Sequence, residues 1–277
     1  MMISPFTPLC FGNHRSDGVE SRYVQTFAHT DHILLEVIRN NSEESPVATI
    51  TNIISGYSQD VVWNTWEMND NDILDFHVIS GLTDGTYIIE IGGRQCQPFF
   101  VTSVERELRD TVLVQYCMKD NKQRKDAVFF IDGMQYFFDL RVPGGFKDSG
   151  WSFGCDNEQF TTDTADIVEL YALDSVQKKF TLGNGKGCPI WFGEMLNRLL
   201  CCSYVYFDGV RYARKDSATP EASQQLDTLD SFIFTQQLQI VRNLNPAIEQ
   251  SNQLILRRTE DTYRINTTSE SNNLKIE

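Results

Sequence analysis

Apolar residues recur at every second position through several short stretches of this chain, the period of a strand with one buried face. Residues 74–79 (LDFHVI) alternate Leu, Phe and Val with Asp and His, and residues 47–54 (VATITNII) alternate more loosely. Residues 32–38 (HILLEVI) are apolar enough for a core strand. Residues 86–91 (TYIIEI) and 94–101 (RQCQPFFV) flank Gly92-Gly93. A pair of glycines there suits a hairpin turn, because both central residues of a type I′ turn need positive φ.

The same grammar continues downstream. Residues 111–118 (TVLVQYCM) read as a strand, and 104–109 (VERELR) as a charged connector. Residues 127–131 (AVFFI) and 134–142 (MQYFFDLRV) flank Asp132-Gly133, a strong hairpin signal, with Pro143-Gly144-Gly145 expected to end it. Residues 167–173 and 179–182 are further strand candidates. Residues 203–207 and 210–214 form another hairpin around Asp208-Gly209. The segments FFIDGMQY (129–136) and VYFDGVRY (205–212) resemble each other, through convergent hairpin chemistry or duplication. The exception to the period of two follows Pro189, a good first-turn residue. There Ile190, Trp191, Met195 and Leu199 fall at helical spacing. Strand and helix readings compete over residues 231–258.

These elements predict a mainly β protein of two antiparallel β-sandwich-like domains, the second with one inserted α-helix at about 189–201. The expected boundaries are an extended N-terminal arm (1–21), a sandwich (22–103), a second β-rich domain (104–258) and a polar C-terminal tail (259–277). A length of 277 residues accommodates two domains.

Composition narrows the partners. The formal net charge is −14 and the pI about 4.7, with no Lys/Arg-rich block. Such a surface repels a phosphate backbone, so neither nucleic acid nor an anionic membrane is expected as a partner. No run of 18 apolar residues exists to span a bilayer. The N-terminus lacks a signal-peptide core and is broken by Pro5 and Pro8. The seven cysteines lack a CxxC pair, and several sit in apolar runs, so free thiols are expected.

Candidate chemistry is sparse. His29 and His32 bracket Asp31, but on a strand positions three apart face opposite ways, which disfavours a shared metal. The acids of residues 68–75 (MNDNDILD) lack the order of an EF-hand and read as a solvated turn. GNGKG at 183–187 precedes a helix as a phosphate cradle would, yet Lys186 is followed by Gly187 and Cys188 rather than a hydroxyl residue, so a hinge is preferred. All four histidines lie in the first 77 residues while six of seven cysteines come later, and no nucleophile elbow or zinc-protease motif is present. No catalytic, cofactor-binding or metal residue is assigned, no cofactor is expected, and the chain is not read as an enzyme.

Three runs carry a resemblance: DTVLVQYCMKDNKQRKDAVFFIDGMQYFFDLRVPGGF (110–146), DNEQFTTDTADIVELY (156–171) and FTLGNGKGCPIWFGEMLNRLLCCSYVYFDGVRYARKDSATPE (180–221). Over these the chain resembles virion proteins of phages and prophages of gut Bacteroidetes, including crAss-like phages. The resemblance implies a tail, tail-hub or neck component in several copies around the tail axis, located in the virion and assembled in the host bacterial cytoplasm. The implied partners are copies of itself and other tail or neck proteins. Two rival readings remain. One is a carbohydrate- or receptor-binding sandwich, with Trp63, Trp66 or Trp151 as a sugar platform. The other is a tail-associated cell-wall or capsule hydrolase.

Overall fold

The computed structural model describes residues 1–12, 23–121, 125–185, 187–215, 221–224 and 231–241. The fold is mainly β and antiparallel in a sandwich-like arrangement, as the alternation predicts. The first part contributes β1 (Met2–Ile3), β2 (Gln25–Ala28), β3 (Ile33–Asn40), β4 (Ala48–Asn52) and β5 (Ser58–Asp60). It continues with β6 (Asn64–Glu67), β7 (Asp72–Ile79), β8 (Gly85–Ile91), β9 (Arg94–Gln95) and β10 (Phe99–Thr102). One sheet runs β1-β3-β7-β6 and the facing sheet β2-β10-β8-β4-β5, with β9 on β8. Among the described residues only β2 and β10 pair in parallel.

Strand β3 explains how the parts join. Its odd-numbered residues Ile33, Leu35 and Val37 enter the core between these two sheets, with Ile89 and Phe99. Its even-numbered residues Leu34 and Ile38 enter a second core with Tyr116, Phe138 and Phe192. A strand covered on both faces needs a nearly continuous apolar run, which residues 33–38 supply save for Glu36.

After a short helix α1 (Glu105–Leu108) come β11 (Thr111–Cys117), β12 (Phe130–Ile131), β13 (Met134–Gln135), β14 (Phe138–Thr161) and β15 (Ile167–Leu182). Helix α2 (Ile190–Leu199), β16 (Tyr204–Phe207), β17 (Val210–Arg214), β18 (Glu221–Gln224) and β19 (Phe232–Ile240) follow. The order β15-β14-β11-β16-β17-β19, with β19 pairing back onto β15, closes six strands into a ring, and β18 adds to β19. Helix α2 buries Trp191, Phe192, Met195, Leu196 and Leu199 in the second core, as its spacing predicts. Gly193 lets it sit close: a Cβ there would stand 2.5 Å from the Phe234 ring. The segment 231–240 is strand; residues 242–277, including the expected tail at 259–277, lie outside the described residues.

Turn chemistry behaves as read. Gly92-Gly93, Asp132-Gly133 and Asp208-Gly209 all have positive φ at both positions (54° and 79°, 50° and 83°, 46° and 80°). Around Asp132-Gly133, however, the ladder holds just two residue pairs, Phe130↔Gln135 and Ile131↔Met134. The expected long hairpin gives way because Phe129, Phe137 and Phe138 are core residues. From Phe138 onward the chain pairs with β11 instead. Nor does Pro143-Gly144-Gly145 end a strand: β14 runs straight through it. Gly144 serves close approach, since a Cβ would fall 2.6 Å from the Thr181 carbonyl oxygen.

The N-terminus also departs from expectation. Residues 1–12 do not extend as an arm. Phe6 is fully buried, edge-on to Phe129 at 5.3 Å between ring centroids. The Tyr116 hydroxyl donates to the Phe6 carbonyl at 2.6 Å, and Arg198 Nη1 donates to the Pro5 carbonyl at 2.7 Å. Burying the aromatic ring outweighs the freedom of a loose end. Phe6→Ala is therefore expected to cost about 3–5 kcal/mol in urea unfolding. A loss below about 1 kcal/mol would show that this segment is not part of the core.

Candidate functional site

Each candidate constellation has a structural position. Asp31 is committed to an ion pair: its Oδ2 accepts from Arg141 Nε at 2.6 Å and its Oδ1 from Nη2 at 2.8 Å. Its Oδ2 also accepts the Ala28 backbone N–H at 2.8 Å, closing the β2–β3 turn. His32 is buried beside it, while His29 is exposed. Among the described residues no three His, Cys, Asp or Glu side chains gather as a metal site. In residues 68–75, Asn69 Oδ1 accepts the N–H groups of Asn71 and Asp72, both at 2.9 Å, forming the β6–β7 turn. Asp75 leaves that turn altogether, buried against Arg39 at 2.6 Å.

The glycine loop likewise has structural duties. Gly183 and Gly187 have φ of 100° and 76°, and the Gly187 N–H donates to the Gly183 carbonyl at 2.7 Å. Cys188 then bridges Phe232, tying the start of α2 to β19. Lys186 lies outside the described residues. The three tryptophans do not share a platform. Trp63 packs against the first core and donates to the Pro46 carbonyl at 2.7 Å. Trp66 packs against the second and donates to Asp132 at 3.0 Å. Trp151 stands elsewhere, on β14. All seven cysteines are unbridged, with Cys155 and Cys201 exposed.

Two buried carboxylates cross between the parts of the fold. Glu36 projects from the even face of β3 and accepts the Val128 N–H at 3.1 Å. Complete burial raises its pKa to about 8, against the opposing pull of that N–H. Asp139 on β14 accepts the His32 N–H at 3.3 Å and Gln115 Nε2 at 2.9 Å. Burial raises it to about 7, the Gln115 hydrogen bond opposing. Asp139, Asp31 and Arg141 thus form a polar seam between β2–β3 and the strand ring.

The feature that stands apart from both cores is a ribbon. Beyond the four residues 147–150 that interrupt the ladder, β14 and β15 pair with each other from Trp151↔Lys178 to Thr161↔Ile167. At about 3.3 Å per residue this ribbon extends some 35 Å. It leaves the ring because β11 pairs with β14 no farther than Pro143, and β19 with β15 no farther than Gln177. Among the described residues both outer edges of the ribbon then lack a strand partner, a surface that invites pairing.

Its side chains are apolar and acidic. Directly paired residues share a face, so Phe160, Val168, Tyr171 and Leu173 line one side. Trp151 and Phe153 stack on the other side at 6.1 Å, with Lys178 Nζ over Trp151 at 3.9 Å. Phe153 is 78% exposed, Ile167 62% and Leu170 58%. Between Ser152 and Gln177 stand six acids (Asp156, Glu158, Asp163, Asp166, Glu169, Asp174) and no Lys or Arg. Sequence reading found only residues 167–173 of this element. The missed signal was a second β-prone stretch on the other side of the turn residues 162–166, hidden by treating Pro143-Gly144-Gly145 as a stop. Chemically the ribbon offers apolar contact, open backbone edges and negative charge, the means of a docking device.

No protein-family model matches the chain, and no curated protein matches it. Among solved structures it is similar in part to a chain of the ZIG-8–RIG-5 IG1–IG1 heterodimer. That likeness has 12% identity, 32% of this chain covered, 90% of the other, and a TM-score of 0.18. A likeness of that size carries no argument about fold or function.

The buried carboxylates give a pH prediction. Both folded pKa values lie above the ordinary carboxylate range, so the folded state holds protons that the unfolded chain releases. The stability they contribute is whole below about pH 4 and is lost as pH rises through about 7 for Asp139 and about 8 for Glu36. Urea-unfolding stability is expected to fall between pH 5 and 8, by at most about 1.4 kcal/mol per pH unit for each group. Glu36→Gln and Asp139→Asn should each flatten that slope; a slope unchanged in both variants would contradict the assignment.

Proposed function

We propose that this chain is a structural component of a bacteriophage virion, a tail, tail-hub or neck protein that forms a homo-oligomeric ring. The observation that carries the reading is the ribbon of β14 and β15. An isolated two-stranded ribbon is marginal in water, and exposed apolar side chains along an unpaired edge mark an interaction surface. The resemblance, strongest over roughly residues 110–222, supports the same reading, for that span includes the ribbon and its flanking strands. A neighbouring subunit would supply the missing strand edge and apolar cover. A contact that joined the ribbon of one copy to a different surface of the next would be heterologous, and such contacts generate rings when the rotation closes.

Light scattering coupled to size exclusion, at concentrations up to several mg/ml and with candidate tail proteins added, tests this. A discrete oligomer is expected. The double substitution Leu170→Lys and Leu173→Lys should leave the melting temperature within a few degrees, since neither residue belongs to a core, and should abolish the oligomer. A protein that stays monomeric under every condition would overturn the proposal.

A further inference from the structure

The two edges of the ribbon are not alike. On one face β15 carries Val168, Tyr171 and Leu173, and β14 carries Asp156, Glu158 and Phe160. Asp156 is paired with Leu173 and Glu158 with Tyr171, so neither acid has a cation across the ladder. Both acids are exposed, and neither forms an ion pair among the described residues. Two residues apart on one strand, they stand about 7 Å from each other, close enough to repel. On the opposite face β14 presents the stacked pair Trp151 and Phe153. Beyond Pro143 the outer edge of β14 has no strand partner among the described residues.

An incoming strand meets such an edge residue by residue, with alternate side chains on opposite faces. Those beside Asp156 and Glu158 fall two apart and need positive charge, since opposite charges on adjacent strands attract and like charges repel. Those beside Cys155 and Phe153 lie on the other face and need apolar character. The ribbon of a second copy fails the first requirement, because between Ser152 and Gln177 it holds six acids and no Lys or Arg. The rest of the chain fails as well. Lys or Arg residues two apart occur once, at Lys122 and Arg124, in a stretch from Lys119 to Asp126 that has no apolar residue.

We infer that the outer edge of β14 receives an extended cationic strand from a different protein, with Lys or Arg at two alternate positions and apolar residues following them. The acids on this edge then do two things. They bar ribbon-to-ribbon pairing, a usual defence of open strand edges, and they select the partner by charge. Main-chain hydrogen bonds hold the added strand, and the alternating side chains give it specificity. A neighbouring copy in the ring is left the β15 edge and its apolar row. The inference rests on the reading of the ribbon as a docking device, and not on the ring.

The test titrates a fluorescein-labelled peptide, TKTKVTVT, with the full-length protein and reads fluorescence polarisation. Laid antiparallel to β14, its lysines fall beside Glu158 and Asp156 and its valines beside Cys155 and Phe153. Saturable binding that weakens as salt rises is expected, with slower hydrogen–deuterium exchange over residues 151–161. The acidic twin TETEVTVT should bind roughly tenfold or more weakly. So should TKTKPTVT, because proline cannot donate to a strand ladder. The double substitution Asp156→Lys and Glu158→Lys, at exposed positions, should leave the melting temperature within a few degrees, lose the lysine peptide and gain the acidic twin. No saturable binding, equal binding by the twin, binding retained by the double variant, or protection confined to residues 167–176 overturns the inference. Light scattering separates it from the ring reading. A discrete oligomer that does not bind the peptide removes this inference alone; a strict monomer that binds it as expected removes the ring alone.

Discussion

The burial of strand β3 on both faces is the constraint that organises this molecule. Side chains alternate across a strand, so Ile33, Leu35 and Val37 must serve one core and Leu34, Glu36 and Ile38 the other. A shift of one residue in register would exchange the two sets and bury Arg39 on the wrong side, away from Asp75. That ion pair lies on the odd face with Thr65 donating to the same carboxylate at 2.9 Å. Removing one partner of such a pair costs about 3–5 kcal/mol, because a buried charge is left alone. Register is thereby held by apolar burial and by charge together.

The even face sets the relation between the two parts of the fold. Leu34, Ile38 and Leu74 share a core with Phe6, Phe129 and Phe138, so the first sheet is covered on its far side by the strand ring and by the N-terminal segment. The polar seam of Asp31, Arg141 and Asp139 then gives that apolar contact a fixed alignment. With both cores closed, the ribbon of β14 and β15 is left as the long element without cover, and it projects from a ring whose strands are otherwise paired.

How much of this was legible follows from physical range. The strands at 33–40 and 72–79, the glycine and Asp-Gly turns and helix α2 rest on short-range rules, and they are found where the pattern puts them. The closed strand ring depends on β19 returning to β15 across more than fifty residues, which no local period records. Phe6 looks in sequence like one aromatic in a proline-broken end; its burial depends on a pocket built from Phe129, Tyr116 and Phe138. The ribbon was hidden for a third reason. Glycines that normally punctuate a chain serve here as the thin residues of a continuous strand, as Gly144 against Thr181 shows. The candidate site was therefore half legible: its second strand was read, its first was not. Of the constellations singled out in sequence, Asp31 and Asp75 are ion-pair partners, and the acids near residue 70 belong to a turn.

The central claim is that the ribbon is a contact element between subunits. Hydrogen–deuterium exchange on the protein at high concentration, compared with the same protein diluted to monomer, tests it most directly. Slower exchange over residues 151–176 in the assembled state, with the two cores unchanged, is the result expected. Exchange over those residues that is equally fast in both states would contradict it.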